Sequence, residues 1–165
     1  MAASEDDVSL VDEDHAAFIT SGVSIAIAST GASGDPSVTR GWGCRVSTDR
    51  RTVTVFVAPM QAGALLADLR AGRPVAVVFS MPSSHRTIQL KAPGADVSPC
   101  SDSDRQAIAE YARLFAIDLD RVGHGGDFAE AYLNVVSGLL ASVSFVPTEA
   151  YAQTPGPRAG QALGR

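Results

Sequence analysis

The chain has 165 residues, of which 45% are hydrophobic, enough for one domain with a buried core rather than a disordered segment. Its net charge is −5 and its pI about 5.0, which sets it against nucleic-acid backbones and anionic lipid as partners. Two cysteines, Cys44 and Cys100, give neither a disulfide framework nor a zinc set, and no apolar run approaches the roughly 20 residues that span a bilayer.

The first residues, MAASEDDVSLVDED, are acidic and lack the basic start and apolar run of a signal peptide. With two reduced cysteines, this predicts a cytosolic protein. A single domain over 1–165 is expected, with 1–8 and 155–165 flexible. Helix signals begin near Ser9, with Asp12, Glu13 and Asp14 placed where the helix dipole favours them, and Gly22 as the stop. Val11, His15, Phe18 and Ile19 share one face at helical spacing.

VSIAIAST (23–30) reads as a strand, GASGDP (31–36) as a turn, and SVTRGWGCRV (37–46) as a second strand. After the turn STDRR, TVTVFVA (52–58) is a third strand, and the short connections describe an antiparallel meander. QAGALLADLRAG (61–72) reads as a short helix with Leu65, Leu66 and Leu69 facing inward. PVAVVFS (74–80) is apolar on both faces, which predicts a central, buried strand. HRTIQLKA (85–92) follows as its hairpin partner. Residues 92–99 read as a loop, and 101–115 as a capped helix with Ile108, Tyr111, Ala112 and Phe115 on one side. Residues 118–133 read as a loop with a short helix. The last clear strand runs from Leu139 to Val146, and a Pro/Gly-rich tail closes the chain. The prediction is a mainly β fold with flanking helices: six or so antiparallel strands in a small barrel or strongly curled sheet.

Three stretches carry candidate ligand groups. In RGWGCRV, Gly41, Gly43 and Arg45 share one strand face. Glycines inside a strand mark close approach of a backbone or a ligand. Bare backbone beside a guanidinium suits a flat ring with an anionic group. A bulge or barrel bend with Arg45 in solvent describes the same residues equally. At Gln61 a helix N-terminus offers unpaired amides, which suit phosphate or serve an ordinary strand-to-helix junction. In SSHRTIQLK, residues His85, Thr87, Gln89 and Lys91 fall on one face, opposite Arg86, Ile88 and Leu90. That polar face meets either water at a sheet edge or a ligand. Asp118, Asp120, His124 and Asp127 read as a solvated loop, and no metal site is expected.

Taken together, these stretches resemble the FMN-binding split-barrel family that includes pyridoxamine 5′-phosphate oxidase. The resemblance rests on DPSVTRGWGCRV, on TVTVFVAPMQAGALLADLRAGRPVAVVFS and on HRTIQLK, and covers roughly residues 20–92 and 140–160. The tail FVPTEAYAQTPGPRAG is similar to that of bacterial relatives with no assigned substrate. The resemblance implies a split barrel and a homodimer holding two FMN molecules at the subunit interface. It implies that Arg40 and Arg45 serve the phosphate or ribityl end. Backbone from Gly41 through Trp42, Gly43 and Cys44 would run beside the isoalloxazine ring, with Gln61 and Ala62 offering amides to the phosphate and Thr87 and Gln89 lying near the flavin. The chain departs from the oxidases at Met60, Gln61 and Ala62, where they carry basic residues. It also lacks their C-terminal substrate-binding Trp and Arg, which argues against pyridoxamine phosphate oxidation itself. An oxidoreductase of unassigned substrate is the first expectation. A non-catalytic module for flavin, haem or deazaflavin is the second.

Overall fold

The computed structural model describes residues 9–134 and 138–164. In chain order its elements are α1 (Glu13–Ile19), β1 (Ser24–Thr30), β2 (Pro36–Val46), β3 (Val53–Val57), α2 (Gly63–Arg70), β4 (Val75–Ser80), β5 (Thr87–Ala92), β6 (Asp96–Pro99), α3 (Asp102–Arg121), α4 (Asp127–Leu133), β7 (Ala141–Phe145) and β8 (Glu149–Ala152). The strands form one antiparallel sheet in the order β6–β7–β3–β2–β1–β4–β5–β8. The sheet does not close on itself, and with its flanking helices it is a split barrel, as the sequence predicts. Expected fraying of residues 1–8 lies outside the described residues.

The period-2 pattern of the strands sets the layering. Ile25, Ile27, Val77, Phe79, Ile88 and Leu90 all point inward in register with one another and are at most 4% exposed. Burying each such side chain is worth about 1.5–3 kcal/mol. Leu65, Leu66 and Leu69 of α2 and Phe18 and Ile19 of α1 fill the same core. α1 starts at Asp12, whose carboxylate accepts the His15 amide at 2.7 Å, a side-chain cap that the acidic run supplies.

Two strands exceed the expected six. Residues 96–99 pair with β7 from Asp96↔Ser144 to Pro99↔Ala141, so the segment read as a loop is an edge strand ending in proline. Residues 149–152 pair with β5 from Lys91↔Glu149 to Ile88↔Ala152. EAYA has weak strand propensity, and pairing to an existing edge decides its state. The tail then returns to β8: Gly160 donates its amide to Ala152, Ala152 to Gln161, and Leu163 to Ala150. α3 runs to Arg121 rather than stopping at Phe115, because Asp118 and Leu119 are buried against the body of the protein. No helix among the described residues is long and apolar enough to cross a membrane.

Candidate functional site: the outer face of the sheet

The outward face of the sheet is divided in two. Over β2, β3 and β7 it is roofed by α3. Helix α3 begins with Ser101, whose hydroxyl accepts the Asp104 amide while the Asp104 carboxylate accepts the Ser101 amide, a reciprocal cap. The same carboxylate, 3% exposed, accepts from Arg45 Nε at 3.0 Å and from Ser142 Oγ at 3.1 Å. Burial alone would raise its pKa. The hydrogen bonds from Ser101, Arg45 and Ser142 outweigh burial and hold it below the usual carboxylate value. Further along, Ile108 packs with Trp42, Phe56, Ala58 and Leu140 in a small second cluster. At the far end Asp118, also buried, accepts from the Ser83 amide at 3.0 Å and Ser83 Oγ at 2.5 Å, which ties α3 to the β4–β5 turn. Asp118 is therefore a helix anchor, not part of a solvated loop.

The glycines of β2 belong to packing. The β2–β3 register shifts between Gly41 and Cys44, a bulge in the strand. Gly41 faces the core, where a Cβ would lie 2.5 Å from Ile25 Cγ2 and 2.8 Å from Val55 Cγ1. Gly43 has φ of 140° and faces α3, where a Cβ would lie 3.1 Å from Phe56 Cδ2 and 3.5 Å from Ile108 Cα. Of the two readings of RGWGCRV, bare backbone here meets a helix of the same chain. Cys44 is buried, and burial pushes its thiol pKa up, so it packs as an apolar group rather than reacting as a thiolate.

Across β2 the roof ends and the face opens. Cross-strand register aligns Arg40 with Ala26, Ala26 with Val78, Val78 with Gln89, and Gln89 with Tyr151. One step along lie Ser24, Ser80 and Thr87, with Ser80 and Thr87 hydroxyls 2.8 Å apart. One step the other way lie Val38, Ala28, Ala76, Lys91 and Glu149. Arg40 stands on the boundary. Its guanidinium carbon is 5.5 Å from the Trp42 ring centroid and 5.1 Å from that of Phe115, and Nη1 donates to Ser24 Oγ at 3.4 Å. Burial pulls its pKa down and Tyr111 opposes the shift, but a guanidinium remains charged. Burial drives the Tyr111 phenol up, so it stays neutral.

The structure thus brings Arg40, Thr87 and Gln89 onto one face. Gly41 and Cys44 lie in the core, while Trp42, Gly43 and Arg45 lie under α3. Gln61 and Ala62 sit between the end of β3, where Val57 pairs with Gly41, and the start of α2. The amides of Gln61 and Ala62 already donate to Ala58. Ala62 gives no side-chain cap to the first turn of α2. Sequence reasoning missed Ser24, Ser80, Tyr151 and Gln153 as members of this face. Gln153 Nε2 donates to Gln89 Oε1 at 3.3 Å, and its amide to the Thr87 carbonyl at 2.8 Å. Alternation within β1 and β4 marked the first two, whereas the last two needed the β5–β8 pairing.

No family model matches the chain, and no curated protein does. Solved structures do. A candidate pyridoxamine 5′-phosphate oxidase from Lactobacillus delbrueckii is 16% identical with a TM-score of 0.53, covering 92% of this chain and 100% of its own. HupZ from Group A Streptococcus is 13% identical with a TM-score of 0.54, covering 91% of this chain and 99% of its own. Likeness at these identities is likeness of fold, and it extends over nearly the whole of both chains.

Proposed function

We propose that this protein is an FMN-binding flavoprotein, working as a homodimer with the cofactor at the subunit interface, in a reducing cytosol. The observation that carries the reading is the open half of the sheet face. It has a half-buried guanidinium at Arg40 and neutral hydrogen-bonding groups at Thr87 and Gln89 on a floor of small side chains. This set fits the group: a cation for a phosphate, and donors and acceptors for a polar ring edge. When bound, FMN supplies the electron transfer, and the chain supplies binding and orientation. Apolar groups on the same face, including Val38 at 68% exposure, invite coverage by a second copy. The fold shared with a candidate pyridoxamine 5′-phosphate oxidase supports the family resemblance carried by the β2, α2 and β5 stretches.

The test is a visible absorption spectrum of the purified protein after FMN addition and desalting. A retained flavin spectrum with one FMN per chain is expected. A colourless dimer would overturn the reading. The absence of a basic residue at Met60–Ala62 favours one other reading, a non-catalytic module for a flavin, deazaflavin or haem. Turnover of NAD(P)H by the loaded protein separates the two.

A further inference from the structure

Two residues along the strands from Arg40 and Gln89, roughly 7 Å at the usual strand rise, the open face dips into a groove of about 400 Å³. Ala28, Pro36, Pro74 and Ala76 line its floor, and Lys91 and Glu149 stand at its wall. The volume lies within the range of small-molecule sites. Lys91 is the single lysine among 13 basic residues. It is half-buried, its Nζ lies 5.0 Å from the Tyr151 ring centroid, and among the described residues it makes no ion pair. Its cross-strand neighbour Glu149 accepts instead from the Tyr151 hydroxyl.

We propose that this groove binds a small apolar monocarboxylate, its carboxylate at Lys91 Nζ and its hydrocarbon body on the alanine and proline floor. An ammonium packed over an aromatic face still has donors to offer, so an anion can complete its shell. The choice of a single negative charge follows from Glu149, which repels a second one at that wall. The apolar floor rewards a hydrocarbon body in proportion to the area it buries. That this carboxylate is the substrate rests on the flavin reading. The groove itself does not.

Because there is one lysine, reductive methylation with ¹³C-formaldehyde yields one side-chain signal, apart from the N-terminal amine, and keeps the charge. Titrating the labelled full chain with sodium hexanoate should move the Lys91 signal saturably at millimolar concentration. Sodium phosphate at matched ionic strength should move it at least tenfold more weakly. In unlabelled protein, Lys91→Gln should weaken the hexanoate-induced shift of the Ala28 amide at least tenfold, and Ala76→Leu, which fills the groove, should abolish it. No saturable shift, an equal response to phosphate, or a response unchanged in either variant would each overturn the proposal. An FMN titration by absorbance on the same sample reports the flavin reading separately. Hexanoate binding without FMN binding would uphold the groove and remove its substrate role.

Discussion

Under α3 the outer sheet face carries Trp42, Phe56 and Ser142, all buried, whereas beyond Arg40 the same face carries Ala26, Ala28 and Val78, none of them buried. The first half is finished within the chain, by a helix held through Asp104 and Asp118 near its two ends. The second has small side chains, half-exposed polar groups and, among the described residues, no element of the chain above it. Its small side chains make that face cheap to leave open to solvent.

Breaking the finished half should have the largest effect. Phe56→Ala, at a fully buried site under α3, should destabilise the protein by about 3–5 kcal/mol in urea unfolding. A loss below 1 kcal/mol would mean that the small cluster under α3 contributes nothing. Asp104→Asn keeps the shape but removes the charge that Arg45, Ser142 and Ser101 share, and should cost about 2–3 kcal/mol. The same carboxyl gives a pH signature. Its folded pKa is depressed, so its contribution is present above the unfolded value of about 3.9 and is lost as pH falls through the folded value. Amides of α3 should therefore lose hydrogen-exchange protection below about pH 4, ahead of those in β4 and β5.

Substitutions on the open half should spare stability and alter binding. Arg40→Ala should weaken FMN binding by about 1.5–3 kcal/mol, or roughly 10- to 150-fold. Arg45→Ala, by contrast, should show mainly as lost stability, because its partner is Asp104. Equal FMN affinities for the two variants would erase the proposed division of the face. Smallest in stability is Val78→Lys, expected within about 0.5 kcal/mol while shifting the protein to monomer in sedimentation velocity. An unchanged dimer would place the interface elsewhere.

The sheet was legible because alternation and turn chemistry are local. The bounds of β1, β2, β4 and β7 fall within a residue or two of those read from VSIAIAST, SVTRGWGCRV, PVAVVFS and the 139–146 run. What escaped was non-local. Neither DVSP nor EAYA looks like a strand until β7 and β5 present an edge to it. PVAVVFS reads correctly as central, between β1 and β5, but only one of its faces is buried within the chain. The site was half legible for a related reason. Alternation placed Thr87 and Gln89 on a common polar face, and Arg40 was found by its motif. The bulge between Gly41 and Cys44 changed which way the following residues point, and no pattern in RGWGCRV announces α3, which comes from some 60 residues further on.

The insertion of β7 between β3 and β6 also sets a timetable for the chain as it is made. β3, VTVFV, is buried at all five positions, and one of its edges is completed only by residues 141–145. At the usual 5–20 residues per second of synthesis, that edge waits roughly 4–18 s after β3 emerges. During the wait VTVFV has the composition of a segment prone to pair with other chains. Arg50 and Arg51 stand one residue ahead of it, beyond Thr52, where charge discourages such pairing. Replacing them with neutral residues should leave the finished fold intact while lowering the yield of chains that reach it.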